Sequence, residues 1–141
     1  MQRTASARWQ GGAQDGSGTL TTQSGTLADV PFTFKARFGD GKGTNPEELI
    51  AVAHAGCFSM ALSAQLTQAG HPPTRIHTTA RVHLEKVEGG FAIPKIDLVT
   101  EAEIPGIDAA TFEQVAQAAK AGCPVSKALA GTEITLQATL L

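Results

Sequence analysis

The chain has 141 residues, 42% of them hydrophobic and only 17% charged, with a formal net charge of −2 and a sequence pI of about 6.0. That length suits one domain spanning residues 1–141, and the weakly acidic balance excludes the basic footprint that nucleic acid or anionic lipid would need. Seven aromatic residues, six Phe plus Trp9 with no Tyr, are too few for a base-stacking platform.

From Met1 to Asp15 there is no apolar run of the kind a secretory signal uses. The longest apolar stretch, Leu49 to Leu62, is interrupted by His54, Cys57 and Ser59 and falls short of the roughly 20 residues a bilayer span needs. The expectation is a cytoplasmic protein with no membrane partner. Thr19 to Ser24 is a Thr-rich strand bounded by Gly18 and Gly25. Val30 to Arg37 is a second, with Phe32, Phe34 and Ala36 alternating against Thr33, Lys35 and Arg37. Gly39, Gly41 and Gly43 then mark a mobile loop. No Ser or Thr follows Lys42, and Asp40 is its only acid, so neither a phosphate loop nor a calcium loop fits.

Asn45 as N-cap, Pro46 at the first helical position and Glu48 at the third open a long helix that Gly70 closes. Its centre is apolar nearly all round, from Leu49 to Ala53 and from Met60 to Leu62. A helix without a wet face is buried, and one small sheet can hardly cover it, which predicts a second subunit. Ile76 to Val87 alternates as a strand, Gly89-Gly90 marks a hairpin, and the return strand runs from about Phe91 to Ile104, with Pro94 predicting an edge or a bulge. Asp108 caps a helix that Gly122 ends, Cys123-Pro124 opens a short one, and Ile134 to Leu140 alternates as a last strand.

The two cysteines, Cys57 and Cys123, lie 66 positions apart. A small secreted scaffold carries more of them, so this pair is either two inert core thiols or a working redox pair. Gly122-Cys123-Pro124 places Cys123 at a helix N-cap, where amides and dipole favour a thiolate. Cys57 is mid-helix, where the dipole gives little. On position alone Cys123 is the better-activated thiol, and a reactive Cys57 needs a cation from outside its helix. Arg37, just ahead of the glycine loop, is the natural candidate. Glu47 favours the positive helix end. It precedes Cys57 by ten residues, about 15 Å along an unbroken helix. Either the helix breaks near Gly56, or Glu47 serves a Cys57 on another chain across a twofold axis. His54, Cys57 and Cys123 are too few ligands for structural zinc, so His54 is a polar residue in a packed seam and no metal is expected. No nucleophile-elbow or cysteine-protease signature is present.

These residues carry a resemblance. Arg37-Phe38, Gly43-Thr44-Asn45-Pro46-Glu47-Glu48-Leu49-Ile50, His54-Ala55-Gly56-Cys57-Phe58-Ser59-Met60-Ala61-Leu62 and Ala121-Gly122-Cys123-Pro124-Val125-Ser126 resemble the osmotically inducible protein C family. The likeness covers nearly the whole chain and favours that branch over its sister organic hydroperoxide resistance branch. It implies an α+β fold of curved antiparallel sheets wrapped around long central helices in an intertwined homodimer. It also implies a thiol-dependent peroxidase, acting on organic hydroperoxides and more weakly on hydrogen peroxide, in defence against oxidative stress. The peroxidatic cysteine maps to Cys57, the resolving cysteine to Cys123, and the family arginine and glutamate to Arg37 and Glu47, which reverses the positional ranking of the thiols. No cofactor is implied beyond an external dithiol reductant, with a lipoylated protein as the partner in known cases. Ile50, Phe58 and Met60 would suit an organic substrate, or simply fill the core. The alternative is a non-catalytic binding or structural dimer with inert thiols.

Overall fold

The computed structural model describes residues 1–141, which form two compact units, Met1–Leu49 and Ile50–Leu141.

The first unit holds an antiparallel sheet of β1 (Ala5–Gln10), β2 (Ser17–Thr22) and β3 (Val30–Thr33) in that order. Two expectations shift here. Gly18 lies inside β2 rather than at its end, at a position where a Cβ would run into the Arg8 carbonyl and the Phe32 ring. The alternating run from Val30 does not continue to Arg37: the strand stops at Thr33 and one turn of helix, α1 (Phe34–Phe38), follows. Thr33 causes the switch by capping that turn, its hydroxyl accepting the Ala36 N–H at 3.1 Å.

The glycine loop is held rather than slack. The N–H groups of Gly39 and Gly41 both return to the Lys35 carbonyl, and Asn45 Nδ2 donates to Ala36 O at 3.4 Å. A Cβ on Gly41 would lie 2.6 Å from Ala36 N, so the chain can fold back on α1 only with glycine there.

Helix α2 (Pro46–Gln68) begins in the first unit and runs on through the second without a break at Gly56. Asn45 Oδ1 accepts the Glu48 N–H at 2.8 Å, as the capping pattern predicts, although the Glu48 carboxylate turns to Thr44 Oγ1 instead. Gly70, at φ +84°, ends the helix, with the His71 N–H on Leu66 O. At 23 residues α2 is, by length and composition, long and apolar enough to cross a membrane, which the interrupted stretch from Leu49 to Leu62 did not suggest. Beyond its first turn, where Glu47 is buried, its buried residues fall every fourth position: His54, Phe58, Leu62 and Leu66.

In the second unit β4 (Arg75–Val87), β5 (Gly90–Glu103) and β6 (Glu133–Leu140) form a sheet with β5 in the middle. The β4–β5 hairpin is antiparallel, and its register slips between His83 and Glu85, opposite Pro94, as that proline predicts. The β5–β6 pair is parallel, so this sheet is mixed rather than antiparallel throughout. Helices α3 (Ala109–Gly122) and α4 (Pro124–Ala128) provide the crossover that a parallel pair requires. Phe58, Leu62 and Leu66 pack with Leu98, Ala102, Phe112, Ala116 and Cys123 into one core.

Candidate active site

The four residues singled out from the sequence form two clusters, one in each unit. In the first unit Arg37 projects from α1 and Glu47 from the first turn of α2. Arg37 Nη2 donates to Glu47 Oε1 at 2.7 Å, and Nε donates to both carboxylate oxygens at 3.2 and 3.3 Å. This two-pronged pairing fixes the guanidinium plane as a single contact would not. Glu47 is buried while the Arg37 side chain keeps 39% of its exposure, so the pair presents the cation outward. The guanidinium also lies over the Phe38 ring, 5.3 Å from its centroid, and the Phe38 ring packs on Phe34 at 4.6 Å.

Beside Arg37 opens a cavity of about 330 Å³ lined by Trp9, Phe32, Phe34, Phe38 and Pro46. Four of the seven aromatic residues thus converge next to one cation. The sequence reading missed this pocket, since Trp9 belongs to a strand it had not recognised. Of the three apolar residues suggested for an organic substrate, Phe58 is sealed in the core, Ile50 is half-buried and Met60 is 76% exposed.

In the second unit the thiols meet. Cys123 Sγ lies 3.0 Å from Cys57 Sγ, both cysteines being free, so the sulfurs are within about 1 Å of disulfide distance. Cys57 comes from the middle of α2 and is half-buried, whereas Cys123 caps α4 and is fully buried. Burial and the shared hydrogen bond with Cys123 push the Cys57 thiol up, and only the Val125 N–H opposes them. Burial also acts to raise Cys123, but it is outweighed by hydrogen bonds from Cys57, from the Ser126 amide and hydroxyl and from the Val125 amide, so the net direction is down. The two directions agree with the ranking by position.

Ser126 also reaches the other way: its Oγ lies 2.8 Å from Nε2 of the buried His54. A contact spanning 72 positions leaves no local signature in a sequence. No group of three His, Cys, Asp or Glu side chains is placed to hold a metal ion.

Three comparisons bear on this geometry. The family model described as OsmC-like protein matches residues 39–138. Peroxiredoxin OsmC of Escherichia coli (strain K12) is 55% identical over 136 residues, covering 96% of this chain and 94% of that protein. The organic hydroperoxide resistance protein of Xanthomonas axonopodis pv. citri is 35% identical over 100 residues, covering 68% of this chain and 67% of that one. Among solved structures, an organic hydroperoxide resistance protein from Elizabethkingia anophelis aligns with a TM-score of 0.76 at 26% identity, over 100% of this chain and 99% of its own. One from Legionella pneumophila aligns at 0.71 and 28% identity, over 96% of both chains. The mixed α+β fold and the family match together identify this chain as a member of the OsmC-like protein family.

Proposed function

We propose that the protein is a cysteine-based peroxidase that reduces organic hydroperoxides to alcohols and hydrogen peroxide more weakly. The observation that carries this reading is the thiol pair, 3.0 Å apart with one member reachable and the other sealed. Susceptibility to peroxide follows access as well as thiolate character, and only Cys57 is open to a substrate. The peroxidase and hydroperoxide resistance names of the relatives support the same chemistry.

In this reading the Cys57 thiolate attacks one peroxide oxygen, the O–O bond breaks, and the alkoxide takes a proton and leaves as the alcohol. Cys57 is left as a sulfenic acid, which Cys123 converts to a disulfide. An external dithiol, such as a lipoylated protein, restores both thiols by exchange. Nothing in its own unit draws the Cys57 proton off strongly, so a cation must supply that effect. Arg37, aimed by Glu47, is that cation. Because α2 is unbroken, the pair is proposed to serve Cys57 of a second copy, in a homodimer whose chains each act as one domain over residues 1–141. The aromatic pocket at Arg37 would hold the organic group of the substrate. The long apolar helix is read as the centre of a soluble, cytoplasmic dimer in oxidative-stress defence.

The test is a count of free thiols before and after cumene hydroperoxide. Two thiols per chain should fall to none at stoichiometric peroxide and return with a dithiol. An unchanged count would leave a binding or structural protein with inert thiols.

A further inference from the structure

Strand β1 is exposed along its whole length, yet it carries the one tryptophan of the chain. A ring recruited only for folding would sink into a core, whereas Trp9 keeps 39% of its exposure. It is nevertheless held on three sides. Its Nε1 donates to Gly11 O at 3.1 Å, and its ring leans on Phe32 with centroids 5.2 Å apart and planes at 50°. Gly16 lies beneath it, so close that a Cβ there would stand 3.0 Å from Trp9 Cε2. The indole N–H, its only polar group, is thus spent inside its own hairpin loop, and what the ring presents to its surroundings is carbon.

That carbon surface lines the cavity of about 330 Å³ beside Arg37. Phe34 and Phe38 line it too, tilted at 39° with centroids 4.6 Å apart. Two tilted aromatic pairs around one space suit an aromatic guest, because ring quadrupoles favour edge-to-face and offset contacts that an alkyl group cannot make. The size agrees. Ligand pockets run from roughly 300 to 1,000 Å³, so this space, at the small end, takes a compact group such as one ring and not a long chain. Arg37, at the same cavity, offers peroxide oxygens the N–H groups that Glu47 leaves over, so the organic group lies against the rings.

We propose that Trp9 is the specificity-determining residue for the organic group and that the site prefers aryl hydroperoxides, the substrate ring packing on Trp9 and Phe32 while its peroxide end lies at Arg37. The proposal rests on the peroxidase reading and names the substrate class of that site. No bond is made or broken at Trp9. Its contact is the same before and during the reaction, so its loss falls on KM and leaves kcat for the aryl substrate near its starting value.

The experiment compares wild type, Trp9→Phe and Trp9→Leu on cumene hydroperoxide and tert-butyl hydroperoxide, which differ by a phenyl in place of a methyl. In wild type kcat/KM should favour cumene hydroperoxide by about tenfold, the scale of one aromatic contact with the apolar area it buries. In Trp9→Leu that ratio should fall toward one through KM, and Trp9→Phe should keep most of it. A ratio near one in wild type, an unchanged ratio in Trp9→Leu, or a loss of kcat shared by both substrates overturns the proposal and leaves the peroxidase reading standing. A second measurement needs neither turnover nor a variant. With one tryptophan and no tyrosine, the emission of the protein is that of Trp9. Cumyl alcohol, the product of cumene hydroperoxide, should shift it saturably to shorter wavelength as water leaves the ring, and tert-butanol at the same concentration should not. If no hydroperoxide is consumed, the peroxidase reading falls and this titration still reads the pocket: a saturable shift keeps the aryl site, and its absence overturns it. Should Trp9→Leu fail to fold, the same titration of wild type decides.

Discussion

Cys57 and Cys123 touch each other, yet each meets different surroundings. One is half-buried, and burial together with its bond to Cys123 pushes its thiol up; the other is sealed, and its hydrogen bonds bring it down on balance. A division of labour follows. Cys57→Ser should abolish peroxide turnover outright, because the remaining thiol, Cys123, is fully buried. Cys123→Ser should consume one equivalent of peroxide to reach the sulfenic acid and a second as Cys57 drifts to sulfinic acid, a gain of two oxygens visible in the intact mass. Full dithiol-dependent activity in Cys57→Ser would sink the assignment. The pH dependence has a definite sign. Attack needs the thiolate, and the Cys57 pKa is raised within its own unit, so kcat/KM should climb with pH and any lost cation should move that climb to higher pH. Arg37→Ala should therefore cost about 100-fold near neutral pH, with much of the loss recovered in alkali. Arg37→Lys keeps the charge but forfeits the two-pronged hold of Glu47 and should recover only part. A pH–rate profile of Arg37→Ala parallel to wild type would mean that Arg37 does not act on the thiol. These four residues were legible because each sits in a short local motif. The His54–Ser126 link was not, because two positions far apart in the chain meet only through folding.

Elements with a strong local period were readable and the rest were not. Helix α2 announced itself through Asn45, Pro46 and Gly70, and the β4–β5 hairpin through alternation and Gly89-Gly90. Strand β1 escaped because all six of its residues are exposed, so no apolar face alternates with a wet one. The turn at α1 escaped because alternation continues past Thr33 while a single side-chain cap redirects the backbone. The direction of β6 is set by two helices of crossover and not by its own residues, which alternate identically either way. Caps are thus where local sequence acts most directly, and Asp108 offers a clean test. Its Oδ1 accepts the Thr111 N–H at 2.8 Å and its Oδ2 the Thr111 hydroxyl at 2.6 Å. Those two bonds hold its carboxyl below the ordinary range. A depressed carboxyl stabilises the fold above its unfolded pKa and loses that effect as pH falls through the folded one. Asp108→Ala should therefore lower Tm by a few degrees at neutral pH, and the gap from wild type should close at strongly acidic pH. A gap independent of pH would assign the loss to helix propensity instead. In the core, Leu62→Ala should cost about 2–5 kcal/mol in denaturant unfolding, since the residue is fully buried between α2 and the β5 face.

At the scale of the whole molecule, the two sides of α2 pose one question. The seam of His54, Phe58, Leu62 and Leu66 is buried, while residues offset by half a turn, Val52, Gly56, Met60 and Ala64, are exposed, Val52 to 67%. An exposed ridge at four-residue spacing with no charge on it is the surface on which the proposed homodimer would pack, ridge against ridge about a twofold axis. Met60→Glu should accordingly lower the solution mass from twice 14.6 kDa toward that of one chain, measured by sedimentation. The proposed dimer matters for chemistry only if the Arg37–Glu47 pair of one chain serves the Cys57 of the other, and mixing inactive chains decides this. Arg37→Ala keeps Cys57, and Cys57→Ser keeps Arg37; each homodimer is inactive for its own reason. In a mixed dimer, service across the interface joins the intact Arg37 of one chain to the intact Cys57 of the other, giving one complete site. Random reassociation makes about half the dimers mixed, so about a quarter of wild-type turnover should reappear on mixing. Service within a chain can restore nothing, because every chain then carries its own defect. Co-refolding the two variants and assaying hydroperoxide loss separates the outcomes: recovered turnover places the cation across the twofold axis, and its absence in dimers shown to be mixed removes it from there.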